Sequence, residues 1–187
     1  QSGIKLESAG ADYAEYLPRK VKEEMIGAAD IVGVFNGQIT KETAGAQRVM
    51  VVSTMPLVVG NWKGKDDPDL YEAVAFVGQV PVKIEGPVTA GDYIVPSGKN
   101  DGLGYAVAPS QLTADQYSSI VGQSWETNLK KGVKQINMAI VPVMQPQSSE
   151  IAALKRENES LKEMVNELKQ TVNTIQNELS VPKRSKL

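Results

Sequence analysis

Short apolar runs are separated by polar segments through the first three quarters of the chain, a pattern typical of β-strands. The runs are rich in Val and Ile, and Gly, Pro, Asn and Asp separate them. The pattern predicts strands at 30–35, 47–53, 73–84, 92–95, 105–108 and 135–143. We therefore expect a mainly β domain, antiparallel and barrel- or sandwich-like.

Three local sequences refine this prediction. Asn36-Gly37 and Asn100-Asp101-Gly102 contain dipeptides that tolerate a positive φ, so we expect tight hairpin turns there. Pro81 interrupts the predicted strand at 73–84. Because proline cannot donate to a ladder, we expect an edge strand or a bulge at that point.

Beyond residue 150 the apolar residues follow a seven-residue repeat. This narrow stripe, with a period of 3.5 residues, predicts a C-terminal α-helical parallel coiled coil, since a helix packed on its own domain would bury a broader stripe. We expect Ser148 or Ser149 to cap the helix. One heptad position holds Ile151, Asn158, Val165, Val172 and Leu179, and the other holds Leu154, Leu161, Leu168 and Ile175.

Flanking charges and one polar core residue indicate how such helices would pair. Glu150 can reach Lys155 of a neighbouring chain, and Glu157 can reach Lys162, as expected for parallel strands. Asn158 either fixes the register or is a tolerated polar defect. The heptads leave the stoichiometry open, because their core residues favour a dimer in isolated peptides whereas an attached trimeric domain can override that preference.

Glycine and proline content separates the two parts of the chain. All 16 glycines lie at or before Gly132, and nine of the ten prolines lie at or before Pro146. We expect an N-terminal lead-in at 1–9, a β-rich domain at 10–146, a coiled-coil helix at 149–180 and a basic tail at 181–187.

Composition excludes several classes of function. The 187 residues include no Cys and no His, which rules out disulfides, cysteine nucleophiles, zinc sites with the usual ligands and Ser-His-Asp relays. A net charge of −2 gives no general attraction for nucleic acid or an anionic membrane. No apolar run is long enough to span a membrane. We expect no cofactor, no metal, no nucleic-acid partner and no membrane insertion.

Three blocks of the β-rich domain, kept in the same order, resemble a known family. Over about residues 10–143 the chain is similar to the C-terminal β domains of phage tail fibres, neck appendages and related surface fibres, which act as intramolecular chaperones. The blocks are Gly10-Ala11-Asp12-Tyr13-Ala14-Glu15-Tyr16, Val51-Val52-Ser53-Thr54-Met55-Pro56, and Val80-Pro81-Val82-Lys83 leading to Gly86-Pro87-Val88-Thr89-Ala90-Gly91-Asp92.

The resemblance implies a homotrimeric structural and assembly domain at the C-terminal end of a viral or bacterial surface fibre. Its partners would be further copies of itself, with a dimer as the second choice, and an upstream fibre domain. Its location would be the virion or the bacterial cell surface.

Some members of this family cleave themselves, and Asp12 and Glu15 are the residues of this chain that fall on the family motif. Without His or Cys, such a reaction would need carboxylates or a Ser activated by a Lys. Asp12 and Glu15 could share one site if their segment turns. Their structural alternatives are a turn cap for Asp12 and an ion pair between Glu15 and Arg19 or Lys20. We therefore assign no catalytic residue and expect no enzyme, with self-cleavage as an alternative.

Three further segments offer other functions. Trp62, in a polar loop between 57 and 70, could contact a receptor if the domain is an adhesin or fibre tip, although a loop Trp more often packs beneath its loop. Asp66-Asp67-Pro68-Asp69 lacks the spacing of an EF-hand, so we expect solvated charge rather than a calcium site. The terminal Ser185-Lys186-Leu187 spells a peroxisomal address, an alternative to a surface location.

Overall fold

The structure, a computed structural model, describes residues 11–61, 67, 69–140 and 145–180, and within the helix it describes the side chains of 153–176. The chain divides into two units, Gln1–Met144 and Gln145–Leu187. In the described parts, the first unit holds ten β-strands and two short 3-10 helices, and the second holds one α-helix. The protein is therefore mainly β with one C-terminal helix.

Six of the ten described strands lie where the runs rich in Val and Ile predict them, and the other four (β1, β3, β5 and β9) were not predicted. The strands are β1 Ala11–Pro18, β2 Ile31–Phe35, β3 Gln38–Thr40, β4 Arg48–Val52, β5 Val58–Gly60, β6 Tyr71–Glu85, β7 Tyr93–Pro96, β8 Gly104–Val107, β9 Gly122–Ser124 and β10 Val133–Ile140. The 3-10 helices are Pro109–Gln111 and Ala114–Ser119, and α1 is Gln145–Ser180.

The 15-residue strand β6 organises the sheet because four other strands pair with it. Its second half belongs to a closed ring that runs β6, β8, β7, β9, β10 and back to β6. Every neighbouring pair in this ring is antiparallel except β6 with β8. The ring is a five-stranded barrel, so the prediction of a mainly antiparallel, barrel-like β domain is confirmed.

The first half of β6 belongs to a second group of strands in the order β5, β1, β6, β4, β2, β3. The end of β1 returns to β3 through a bridge between Arg19 and Ile39. The backbone N–H of Lys20 also donates to the carbonyl of Ile39, at 2.8 Å. This group therefore also curls back on itself, and β6 is the strand that both groups share.

Alternation along β6 explains the core. Val80, Val82 and Ile84 are fully buried, whereas the residues between them point outward. Ile136 and Met138 of β10 join them in the largest core cluster. A second cluster fills the curl of the other strands and consists of Ile26, Val32, Ile39, Met50, Val52 and Val74.

Pro81 lies at a local edge of β6, as predicted, because among the described strands β10 alone pairs with β6 between Gln79 and Ile84. Pro81 pairs with Asn137 in an uninterrupted register between β6 and β10. The main-chain groups of Asn137 bond elsewhere: its N–H donates to Glu126 Oε2 at 3.2 Å, and its carbonyl accepts from the N–H of Trp125 at 3.1 Å. Pro81 therefore occupies a non-hydrogen-bonded position, where the absence of an N–H costs no bond.

The predicted turn at Asn36-Gly37 is confirmed. Phe35 pairs with Gln38, which leaves a two-residue loop between β2 and β3, and both loop residues have positive φ (51° and 79°). This is the backbone that a two-residue hairpin requires. The second predicted turn also contains positive φ values, at Asn100 (57°) and Gly102 (78°).

Helix α1 begins earlier than its predicted cap. Because it starts at Gln145, Ser148 and Ser149 lie inside the helix and neither is the N-cap. Pro146 lies in the first turn, where the missing N–H of proline would have had no helical partner and its fixed φ favours the helix. The proline that marked the end of the β-rich composition therefore belongs to the helix.

Gly78 is the glycine on which the pairing of β1 and β6 depends most directly. It lies opposite Asp12, beside the irregularity at which Tyr13 pairs with Val77 and the next residue of β1 pairs with Ala75. Gly78 has a φ of +116°, and a Cβ added there would overlap the carbonyl oxygen of Ala11 and lie 2.7 Å from Asp12 Cα.

We expect Gly78→Ala to lower the free energy of unfolding by about 3 kcal/mol, because backbone strain of about 1–2 kcal/mol adds to an overlap that costs about 1–3 kcal/mol. Gly37→Ala is the matched control, since Gly37 also has positive φ but has open space around it. The control should lose only about 1 kcal/mol. Urea unfolding measures both, and equal losses would contradict the steric account.

Candidate functional site

The described face of helix α1 carries a stripe of large apolar side chains that are exposed to solvent. Exposed fractions range from 44% at Val172 to 68% at Leu168. The stripe contains Leu154, Leu161, Val165, Leu168, Val172 and Ile175 of the predicted heptads, together with Met164. Of the predicted oligomerisation residues, only the side chains of Ile151 and Leu179 lie outside the described residues.

Polar residues occupy the predicted heptad positions in and beside the stripe. Asn158 lies between Leu154 and Leu161 along the helix and is exposed. Glu157 and Lys162 flank the stripe at the positions that meet across two parallel helices, and both are exposed. A helix of this kind presents a surface with apolar residues in the middle and opposite charges at its sides.

A second candidate site is the buried carboxyl group of Asp12 on β1. Asp12 is only 3% exposed, and its Oδ1 accepts a hydrogen bond from the hydroxyl of Ser53 at 3.1 Å. Its other oxygen, Oδ2, is buried and has no hydrogen-bond partner. The Asp12 carbonyl accepts from the N–H of Leu57 at 2.8 Å, which fixes the backbone at this point.

Burial raises the pKa of the Asp12 carboxyl above its usual value, and the hydrogen bond from Ser53 offsets part of that rise. An oxygen without a donor in a buried position disfavours the ionised form. The arrangement is a carboxyl group that takes up a proton more readily than a solvated one, in contact with a serine hydroxyl. Those are the properties of a general base beside a nucleophile.

Asp12 and Glu15 do not share one site, because their segment is a strand and not a turn. Residues three apart on a strand point to opposite faces. Asp12 is buried like Ala14, whereas Glu15 lies on the face of Tyr13 and accepts the Tyr13 hydroxyl at 2.7 Å. This bond to a carboxylate, together with partial desolvation, raises the pKa of Tyr13.

The structural alternatives for these two residues are also wrong. Asp12 caps no turn, since it lies within β1. Arg19 pairs with Glu72 rather than with Glu15, and Lys20 pairs with Glu42 at 3.5 Å. Arg19 also donates to the carbonyl of Glu24. The charged groups at the end of β1 therefore hold the following segment in position.

A surface cavity of about 380 Å³ lies beside Asp30. The Asp30 carboxylate is buried and receives Lys83 Nζ at 2.6 Å, Lys41 Nζ at 3.1 Å and the N–H of Gly27 at 2.9 Å. With Asp101, the charged lining consists of two lysines and two carboxylates, whose formal charges cancel. We interpret this cluster as a structural link between the residue before β2, strand β6 and the residue after β3.

The remaining predicted sites lie wholly or partly outside the described residues. Trp62 and the terminal 185–187 are outside them, so the fibre-tip and peroxisomal alternatives stay predictions. Asp67 and Asp69 are described, but Asp66 and Pro68 are not. Within the described ranges no three acidic side chains are grouped as metal ligands. No described helix is both long enough and apolar enough to cross a membrane.

Sequence reasoning found Asp12 but missed its partner. Ser53 belongs to the second family-like block and is 41 positions away. The signal was present, because both residues lie in blocks that carry the resemblance, but nothing in the spacing shows that β4 and β1 flank the same strand. The N–H of Ser53 donates to the Ala73 carbonyl of β6 at 2.8 Å, and Asp12 pairs with Gly78 of the same strand.

Fold and site together define a mainly β domain with a five-stranded barrel and a helix that carries an exposed heptad stripe.

No family model matches the chain, and no curated protein matches it. Among solved structures, it is similar to the C-terminal fragment of gene product 12 of bacteriophage phi29. The two are 18% identical, with a TM-score of 0.46 over 70% of this chain and 100% of the fragment. We draw no functional conclusion from a likeness at this level.

The Asp12 site predicts a pH dependence of stability. Because the folded-state pKa is raised, the folded protein binds this proton more readily than the unfolded chain, so its stability falls as pH rises from the ordinary Asp value through the folded value. Asp12→Asn removes this pH-dependent contribution to the free energy of unfolding. Relative to the parent, we expect the variant to be most stabilised at pH 7 and least stabilised at pH 4.

Urea unfolding of both proteins at pH 4, 5.5 and 7 measures this difference. Ser53→Ala is a companion variant that removes the hydroxyl donor. It should therefore destabilise the protein more at pH 7 than at pH 4, by about 1–3 kcal/mol at the higher pH. A difference between parent and Asp12→Asn that does not change with pH would contradict the assignment.

Proposed function

We propose that this chain is a homotrimeric structural and assembly domain in which α1 joins three parallel copies in register. The observation that carries the proposal is the exposed apolar stripe on α1, with seven large apolar side chains at 44–68% exposure. Burying apolar surface stabilises by roughly 25 cal/mol per Å². A stripe of this length on one helix face therefore favours association with another apolar surface.

The flanking residues favour another copy of the same helix as that surface. Glu157 of one copy would meet Lys162 of the next across parallel strands, so the stripe is complementary to itself. Asn158 at a core position pairs with its symmetry mates only when the strands are aligned. A heptad stripe also keeps facing a partner only when that partner has the same repeat.

An apolar residue at one flanking position of the stripe favours three copies over two. Met164 stands at the flanking position before Val165, and it is 51% exposed. It extends the apolar surface beyond the two core positions. In a dimer this flank stays at the edge of the interface, whereas a helix with two neighbours covers more of both flanks. The family-like blocks of the β domain support the same number of copies.

An assembly role follows from the physics of fibre folding. Intertwined β-fibres must bring three chains into register before strand pairing is rewarded, and such non-local pairing is slow. A helix forms locally and quickly, and its association raises the effective concentration of the attached domains. The role is structural, without an enzymatic activity on other molecules. The site of action would be a virion or bacterial surface, with an upstream fibre domain as partner.

Leu168→Asp tests this proposal because it introduces a charge at the most exposed residue of the stripe. Gln170→Asp is the matched control, two residues away and outside the two core positions of the repeat. We expect Leu168→Asp to dissociate the assembly. Its helical circular dichroism should therefore be lower than that of the parent, whose helical signal should fall on dilution. The control should differ from the parent by less than about 1 kcal/mol. Equal behaviour of the two variants would contradict the proposal.

A second candidate function is self-cleavage, and the observation that favours it is the contact between Asp12 and Ser53. The Ser53 hydroxyl would attack a peptide carbonyl of the same chain while Asp12 Oδ1 takes the hydroxyl proton. The C–N bond would break, the leaving amine would receive that proton, and water would hydrolyse the resulting ester. The raised pKa of Asp12 supports the role of base.

A chain extended before Gln1 tests this second candidate by intact mass over time. Cleavage should yield two fragments whose masses sum to the parent plus one water. Ser53→Ala should abolish cleavage, whereas Ser119→Ala, which removes a hydroxyl elsewhere in the domain, should leave it unchanged. Cleavage that persists in Ser53→Ala would exclude this mechanism.

A further inference from the structure

A patch on the β domain combines exposed apolar residues with a free strand edge. We call it the Tyr13 patch and define it by Tyr13, Glu15, Arg48, Val58, Phe76 and Val77. Tyr13 pairs with Val58 on one side and with Val77 on the other, so these three side chains form a row across β5, β1 and β6. Val77 is 53% exposed and Val58 is 43% exposed.

Aromatic contacts join this row to two charged groups. Tyr13 and Phe76 meet edge to face, with ring centroids 6.3 Å apart. The guanidinium of Arg48 lies over the Phe76 ring at 5.9 Å, and Glu15 accepts the Tyr13 hydroxyl at 2.7 Å. The order is therefore Arg48, Phe76, Tyr13, Glu15, with opposite charges at the two ends of an aromatic pair.

Neither charge is neutralised within the described chain. Among the described residues, Arg48 has no carboxylate and Glu15 has no cation within ion-pair distance. In a closed ring of three copies, contacts are head to tail, so the cation at one end of this patch can meet the carboxylate at the other end of the patch on the next copy. Strand β5 pairs with β1 alone among the described strands, so its outer edge also remains available for pairing.

We propose that the Tyr13 patch is a contact between the β domains of neighbouring copies of this chain, in which Arg48 of one copy pairs with Glu15 of the next. This inference rests on the proposed self-association through α1. Once the helices hold the copies together, the effective concentration of the β domains is high, and a patch of modest area suffices. An unrelated acidic or basic partner would match only one end of the patch.

Charge exchange tests the pairing in the full chain. Arg48→Glu alone and Glu15→Lys alone should each weaken assembly about tenfold, because each places like charges together. The double variant restores an opposite pair and should assemble within about threefold of the parent. Dilution followed by sedimentation velocity measures the assembly constant. If the loss of assembly free energy in the double variant equals the sum of the losses in the two single variants, the proposal is overturned.

The same cycle in the Leu168→Asp background separates a contact between copies from one within a chain. If Arg48 and Glu15 pair between copies, the two substitutions should have additive effects on the free energy of unfolding of the dissociated chain, measured with urea. Coupling that persists there would overturn the patch proposal while leaving the helix proposal intact. If Leu168→Asp does not dissociate the chain, the helix proposal fails instead.

An apolar variant completes the test. Val77→Ser should weaken assembly about threefold to tenfold, since it replaces the most exposed apolar side chain of the row. Val133→Ser is the matched control, because Val133 is 60% exposed but lies on β10, outside the patch. An equal effect of both substitutions would contradict the assignment of this surface.

Discussion

Pairing along β6 is the constraint on which the rest of the β domain depends. This strand contributes its first half to one curled group of strands and its second half to a closed five-stranded barrel. Because its buried residues alternate with outward ones, a shift of one residue would turn Val80, Val82 and Ile84 out of the core. The irregular register near Val77 and the positive φ of Gly78 lie close to the point where one group gives way to the other.

The same point of β6 carries the chemistry and the proposed contact surface. On one face, the strand beside Gly78 brings the buried Asp12 carboxyl to Ser53. On the other, the irregular register brings Phe76 and Val77 to Tyr13. An unpartnered carboxyl oxygen in the core and the exposed side chains of Val58 and Val77 beside Tyr13 both cost stability in an isolated chain. Assembly would offset part of that cost by covering the row.

Local patterns in the sequence were sufficient to predict the strands and turns that depend on a few neighbouring residues. Six strands rich in β-branched residues and the Asn36-Gly37 turn were predicted, because strand propensity and tolerance of positive φ act over a few residues. Strand β1 was missed because its alternation runs through Ala and Tyr with a buried Asp12. The strands β3, β5 and β9 have three residues each, too few to show a period.

Contacts between distant residues could not be predicted from local pattern. The sequence predicted an edge or a bulge at Pro81, but it gives no sign that the partner is Asn137, whose main-chain groups bond to Trp125 and Glu126. Likewise, spacing gives no sign that Lys41 and Lys83 converge on Asp30. For the candidate sites, the heptad stripe and Asp12 came from the sequence, whereas Ser53 and the aromatic row required the register of the sheet.

The central claim is that the exposed stripe on α1 is covered by other copies of this chain. Sedimentation equilibrium of the parent protein at micromolar concentration tests it most directly. The account predicts a mass three times the chain mass of 20.2 kDa, independent of rotor speed. A single species with the mass of one chain across the micromolar range would contradict it.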